Sequence, residues 1–238
     1  MQVIPVINLG LVLIPAGLVV YLLWRWSGDV KGSITSLARM IIQLVMVGYV
    51  LTFIFASDQA WLVMGVLSVM LLVSSWIALG PVAEKRKQLY WQALLAIVIV
   101  NVGLLALITQ GVLISTPWFA PNLMIPLAGM IFATGMNTIS LFAERFYAEL
   151  EHNISLEKAR NIAYSATMIP TINSLLAVGL VSLPGMMTGQ ILSGVSPLIA
   201  VRYQIMIMLM LFVSSGLTAP LFYYLIRKKS LFLNTRKS

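Results

Sequence analysis

The chain has 238 residues, of which 60% are hydrophobic and only 9% are charged, and its formal net charge is +8. Soluble domains contain about a quarter charged residues, so a soluble fold of this length could not cover so much apolar surface. The composition therefore predicts an integral membrane protein, and the absence of cysteine excludes disulfides and thiolate metal sites.

Seven apolar runs are long enough to cross a bilayer, or nearly so. In chain order they are Val3–Trp24, Met40–Ala56, Ala60–Val82, Leu89–Thr109, Asn122–Phe142, Thr171–Leu192 and Tyr203–Ile226. Backbone polar groups in lipid need partners within the chain, and the runs lack the alternation of a membrane β-barrel. The sequence therefore predicts an all-α membrane protein with about seven transmembrane helices, forming a single domain over residues 1–238. The first run is expected to be retained as a transmembrane helix.

The basic residues predict the orientation in the membrane. If the N-terminus lies outside, 14 of the 15 Lys and Arg residues fall on the inner side, and only Arg202 falls outside. This bias predicts an N-out, C-in topology. It also explains the net charge without nucleic acid as a partner, because the basic residues hold the inner loops on the cytoplasmic side.

The seven runs contain no Asp, Glu, Lys, Arg or His. Ion-coupled carriers usually place ionisable groups at membrane depth, and the chain also lacks a G-x-x-x-x-G-K-[ST] phosphate loop. Both absences favour energy supplied by a separate ATPase chain. The runs also contain no nucleophile–base pair that would indicate a catalytic site, so an enzyme is not expected. Neutral polar residues do occur in the runs, among them Asn137 and Asn173. They could form interhelical hydrogen bonds or line a translocation path.

Residues 143–170 form the only long cytoplasmic segment of the predicted topology and are expected to couple to the ATPase. Much of the segment has a helical pattern, and Pro170 is expected to mark the start of the sixth span. On the helix after the turn at 153–155, the candidates for contact with the ATPase are Leu156, Ala159 and Arg160.

The one histidine, His152, follows Glu149 at the Glu-x-x-His spacing of di-iron bundle sites. The pair could collect metal ions, but one such spacing by itself is a weak signal and is more typical of a solvated, charged helix. The sequence leaves both interpretations open.

Residues 182–194 predict a broken helix, because proline removes a helical hydrogen bond and the adjacent glycine permits unusual backbone. Broken helices at membrane depth survive only where protein or an aqueous cavity surrounds them, and transporters use them to contact substrate. The candidate path residues here are Pro184, Gly185, Met186, Met187, Thr188, Gly189 and Gln190. The alternative is a simple kink that packs against a neighbouring helix.

Several motifs carry a family resemblance. Ile169–Ser174, Val178–Leu192, Gly194–Pro197 and Ala200–Ile205 together resemble the signature of the FetB-type iron-export permeases, and Ile125–Met130 resembles part of that family's fifth span. The family also includes plant aluminium-tolerance permeases. The resemblance implies a half-transporter in the bacterial inner membrane, in which two copies pair with two copies of a cytoplasmic ATP-binding subunit. It further implies iron as cargo, ATP bound by the partner and no cofactor bound by this chain.

Two alternatives remain open at this point. An ABC-type permease could carry another small solute, such as a nucleotide sugar, or the chain could be an ATP-independent channel or membrane scaffold. A neighbouring ATPase gene in the same operon would separate a transporter from a channel.

Overall fold

A computed structural model describes residues 5–26, 30–55 and 59–234, with side chains described except at 6–7 and 228–234. The described residues are helical and contain no strand, which confirms the predicted all-α membrane fold. Six helices in these ranges are long and apolar enough to cross a membrane. They are Asn8–Trp26, Val30–Phe55, Ala60–Ala78, Ala83–Val112, Pro121–Glu151 and Pro197–Arg227. Residues Val3 and Ala56, which bound two of the predicted runs, lie outside the described residues.

The chain divides into two compact units, Met1–Asp58 and Gln59–Ser238. The first contains helices α1 (Val6–Trp26) and α2 (Val30–Phe55). Their side chains are apolar and mostly exposed, as expected for helices that face lipid. Helix α2 begins at Val30, ten residues before the predicted apolar run starts at Met40. The helix includes Lys31 and Arg39, which the apolar run left out.

The second unit contains the remaining helices. They are α3 (Ala60–Ala78), α4 (Arg86–Ile97), α5 (Gly103–Ala106), α6 (Pro121–Glu151), α7 (Leu156–Ala177), α8 (Gly185–Leu192) and α9 (Pro197–Asn234). Helices α4 and α5 belong to one span, Ala83–Val112, in which two π-helical segments, Val98–Val102 and Leu107–Val112, replace the regular α-helical bonds. Such π segments often mark functional sites.

Helix α6 is the centre of the second unit and packs against α3, α7 and α9. Ile131, Ile139, Phe142 and Phe146 on α6 are fully buried. Phe142 and Phe146 stack on each other, and both rings contact Tyr223 on α9. Helix α6 is therefore buried on most of its sides and held in place by three neighbouring helices. A helix held in this way can position the residues of the site described below.

The predicted run Thr171–Leu192 is interrupted, as the sequence predicts, but Pro170 does not mark the start of its first helix. Helix α7 begins at Leu156, continues through Pro170 and ends at Ala177. A tight turn follows, in which Gly179 has a φ of 83° that favours glycine. Pro184 then lies just before α8 in an extended conformation. A break does occur in this region, but at 178–184, and Pro184 starts a short helix instead of interrupting a long one.

A hairpin joins α6 to α7, as the predicted turn at 153–155 requires. Asn153 has a φ of 58°, its N–H donates to the Leu150 carbonyl, and the N–H of Ile154 donates to the Glu149 carbonyl. These bonds form a Schellman motif that ends α6. The Ser155 side chain then accepts a bond from the Lys158 N–H and caps the start of α7.

Candidate functional site

An open polar groove lies between α6, α7 and α9, with a volume of about 220 Å³. Its lining combines hydroxyl, amide and thioether groups with a few apolar side chains. The lining residues are Thr134, Asn137, Thr138, Leu141, Thr167, Pro170, Thr171, Ser174, Met208, Leu211 and Ser215. Every polar side chain in this lining is neutral.

Each helix contributes one stripe of residues to the groove. On α6, Thr134, Asn137 and Thr138 follow the i, i+3, i+4 spacing of one helix face. On α7, Thr167, Thr171 and Ser174 follow the i, i+4, i+7 spacing, which also places them on one helix face. Of this set the sequence analysis assigned only Asn137 to the path, and Thr138 was one more neutral polar residue of the same apolar run. The hydroxyl stripes are nevertheless visible in the sequence as a helical period.

Hydrogen bonds fix most of the hydroxyl groups. The Thr171 and Ser215 hydroxyls share a bond of 2.9 Å between α7 and α9. Thr134, Thr167 and Ser174 each donate to the carbonyl four residues earlier. Their lone pairs remain able to accept or to bind a cation.

One further side chain in the groove is available as a weak ligand. The side chain of Asn137 is exposed. The groove therefore offers neutral oxygen ligands and no carboxylate.

The groove lies near the middle of α9, a helix long and apolar enough to cross a membrane. Ser215 is about midway along α9 between Arg202 and Arg227, about 20 Å from each at 1.5 Å per residue. On α6 the charged residues, including Arg145, lie toward the end of the helix, and on α7 those including Arg160 lie toward its start. Along α9 the neutral groove is thus separated from the charged residue on either side by somewhat more than half of a hydrocarbon core of about 30 Å.

A buried polar cluster supports the groove from behind. The Ser214 hydroxyl donates to Asn101 Oδ1 at 2.7 Å, and Asn101 is fully buried in the first π-helical segment. Gly135 on α6 packs so closely against Asn101 that a Cβ there would overlap the amide Nδ2. Because Gly135 precedes Thr138 by three residues and Ser214 adjoins Ser215, this cluster sets the position of two groove residues.

The predicted path segment does not line the polar groove. Of its residues, Met187 lines a second, mainly apolar groove of about 320 Å³ between the end of α7, α8 and α9. Gln204 also lines this second groove, is buried, and has an Oε1 atom with no hydrogen-bond partner. Met208 lines both grooves and so connects the α8 region to the polar groove.

The remaining path residues have different surroundings. Met186, Thr188, Gly189 and Gln190 are half-buried, and the Thr188 hydroxyl donates to the Pro184 carbonyl at 3.2 Å. The Gln190 Oε1 atom is buried without a partner. Asn173 is exposed on α7 and lines neither groove, so the structure brings Asn137, but not Asn173, to the polar groove.

The predicted coupling residues lie at the start of α7. Ala159 is fully buried within the chain, whereas Leu156 and Arg160 are partly exposed. Arg160 donates to Asn161 Oδ1, pairs with Glu157 at 3.6 Å and lies over the Tyr223 ring at 5.6 Å. These contacts hold the guanidinium of Arg160 against α9.

The Glu149–His152 pair is divided between two environments. Glu149 is buried and its carboxylate pairs with Arg145 at 2.6 Å, while His152 is exposed at the end of α6. Among the described residues, no group of three or more His, Cys, Asp or Glu side chains is arranged to hold a metal ion. The geometry fits a charged helix end better than a metal-collecting site.

Comparison with known proteins adds independent information. The family described as "Uncharacterised protein family (UPF0014)" matches residues 5–232. "UPF0014 membrane protein slr1647" of Synechocystis sp. (strain ATCC 27184 / PCC 6803 / Kazusa) is 36% identical over 217 residues, covering 82% of each chain. "Probable iron export permease protein FetB" of Escherichia coli (strain K12) is 35% identical over 224 residues, covering 87% of this chain and 83% of the relative. "Protein ALUMINUM SENSITIVE 3" of Arabidopsis thaliana is 29% identical over 225 residues, covering 85% and 80%. No solved structure matches the chain.

Proposed function

The chain belongs to the UPF0014 family of multi-pass membrane proteins, and we propose that it is the membrane-spanning permease subunit of an ABC-type exporter. Its cargo is iron or a related metal ion, and its ATPase is a separate chain. The name of the Escherichia coli relative supports both the direction and the cargo. The protein acts in the bacterial inner membrane as a pair of identical copies with two ATPase subunits.

The observation that carries this proposal is the neutral groove at mid-membrane depth. Hydroxyl and amide oxygens replace part of a cation's hydration shell without binding the cation so tightly that it cannot leave. A nucleotide sugar carries two phosphate charges, and the groove offers no Lys or Arg side chain to balance them. The lining therefore favours a small cation over that alternative cargo.

The energy source is proposed to be a partner because this chain has no phosphate loop. The hairpin between α6 and α7 is the contact for the ATPase, within the coupling segment 143–170. Leu156 and Arg160 are partly exposed there, and buried Ala159 supports them from within. The two helices of the hairpin lead directly from this contact to Asn137 and Thr171 in the groove.

The proposed route continues from the polar groove to α8. Met208 borders both grooves, and Met187 and the buried Gln204 amide lie beyond it. Thioether and amide groups add weak, soft ligands to the oxygen ligands of the first groove. The sequence analysis expected Pro184–Gln190 on the substrate path, and we assign this segment to the exit from the groove.

The test is ATP-dependent ion flux in proteoliposomes that contain the chain and the ATPase encoded beside it. Ferrous iron should be transported only with ATP and both subunits present. Thr171→Val keeps the side-chain shape but removes one hydroxyl ligand, and should raise the iron concentration for half-maximal flux roughly tenfold. Thr109→Val removes a buried hydroxyl bonded within its own helix, away from the groove, and should leave flux unchanged. Flux without ATP would instead establish a channel, and flux of other solutes alone would overturn the metal cargo.

A further inference from the structure

Helix α9 contains a proline, Pro220, well inside its length. Because proline has no N–H, the carbonyl of Gly216, four residues earlier, loses its helical donor. The hydroxyl of Tyr164 on α7 donates to this carbonyl at 3.3 Å. An internal proline is tolerated in a membrane helix when a neighbour satisfies the freed carbonyl, and Tyr164 meets that need.

Helix α7 contacts α9 on both sides of this proline. Toward the charged end, the Arg160 guanidinium lies over the ring of Tyr223, which follows the proline. On the other side, Thr171 bonds to Ser215 in the polar groove. Tyr164 lies between these contacts, and its acceptor is the residue next to Ser215.

A proline divides a helix into two segments that can change their relative angle, because one backbone bond is missing between them. Here α7 contacts α9 before the proline through Thr171 and Ser215, and after it through Arg160 and Tyr223. A displacement of α7 at its Arg160 end therefore acts on the segment of α9 that follows Pro220.

We propose that Tyr164 is a positioning residue that transmits displacement of the α6–α7 hairpin to the polar groove. Its bond to the Gly216 carbonyl holds the two segments of α9 at one angle and keeps Thr171 paired with Ser215. Release of that bond changes the angle at Pro220, and both groove hydroxyls are freed for the cargo. The proposal rests on the proposed function, since it assigns the hairpin as the place where the ATPase acts.

The first experiment removes only the hydroxyl, with Tyr164→Phe in the intact complex with its ATPase. ATP hydrolysis should continue, while ions transported per ATP should fall about fivefold, the factor that corresponds to one net hydrogen bond. The matched control is Tyr90→Phe. Tyr90 also donates to a backbone carbonyl at 3.3 Å, that of Leu72, whose helical donor Trp76 is not a proline. The control should leave the ratio unchanged.

The second experiment restores the missing donor. Pro220→Ala returns a backbone N–H to the Gly216 carbonyl, so the Tyr164 hydroxyl becomes redundant. Tyr164→Phe should then have no further effect on the ratio when combined with Pro220→Ala. Additive effects of the two changes would overturn the proposal, as would an unchanged ratio in Tyr164→Phe alone.

A third measurement does not depend on transport. Because the chain has no cysteine, single cysteines can be placed for spin labels at the exposed positions Leu209 and Tyr224, on either side of Pro220. The distance distribution should broaden with Tyr164→Phe and stay narrow with Tyr90→Phe. If the parent transports no metal but this broadening occurs, the proposed cargo fails and the hinge contact stands. If transport occurs and the distribution does not change, the hinge contact fails and the proposed function stands.

Discussion

Gly135→Ala tests how the buried cluster behind the groove is packed. The added Cβ would overlap Asn101 Nδ2, and Asn101 is fully buried, so its side chain has no open space to enter. Moving it also breaks the 2.7 Å bond from Ser214. Overpacking costs about 1–3 kcal/mol and the hydrogen bond about 1 kcal/mol, so the expected loss of unfolding free energy is about 2–4 kcal/mol.

The measurement is denaturant unfolding in mixed micelles, followed by tryptophan fluorescence. The matched control is Gly65→Ala inside α3, where an added Cβ meets nothing within 4 Å. This control should be neutral or stabilising by up to about 1 kcal/mol, because alanine loses less backbone entropy than glycine in a helix. The difference between the two alanine variants isolates the overlap with Asn101.

A compensating change gives the decisive result. Asn101→Ala makes room for the new Cβ, and Ser214 keeps a second acceptor in the Ile131 carbonyl at 3.4 Å. The double variant Gly135→Ala/Asn101→Ala should therefore be more stable than the sum of the single changes by about 1–3 kcal/mol. Strict additivity, or a Gly135→Ala variant as stable as the Gly65 control, would refute the packing argument.

Three further predictions concern topology, coupling and the path. The basic-residue bias predicts that a cysteine replacing Lys158 reacts with a membrane-impermeant thiol reagent only from the cytoplasmic side. A cysteine replacing Ser115 should react only from the outside, and the reverse pattern would invert the topology. Arg160→Glu should reduce co-purification of the ATPase at least severalfold while membrane insertion stays normal, measured by affinity pull-down, and an unchanged yield would remove Arg160 from the contact. Met187→Leu and Gln190→Leu keep a similar side-chain volume but remove a ligand atom, so metal flux should fall severalfold while assembly with the ATPase stays normal. If both variants transport metal as fast as the parent, α8 only packs against its neighbours and does not line the path.

Some of the architecture follows from the sequence alone. With 60% hydrophobic and 9% charged residues, the chain can fold only in a bilayer, and a spanning backbone there must be helical. The hairpin between α6 and α7 was also predictable, because an asparagine that tolerates positive φ and a serine that caps a helix stand two residues apart. Local chemistry decides these features, so no distant contact is needed to infer them.

The helix break shows where local rules give an incomplete answer. The adjacent Pro184 and Gly185 correctly predict an interruption, but proline is compatible with the residue before a helix as well as with a kink. The observed break is upstream, where Gly179 adopts positive φ after α7 ends at Ala177. The packing of α8 against α9 selects this position among the alternatives.

The polar groove was decided by tertiary structure. Thr171 meets Ser215 across 44 positions of sequence, and Asn101 meets Ser214 across 113. In a soluble protein the apolar face of a helix shows which side is buried, but a membrane helix is apolar toward lipid and toward protein alike. The sequence therefore determines that the helices form and where their hydroxyl groups lie along each one, whereas only packing determines which of those hydroxyl groups face one another.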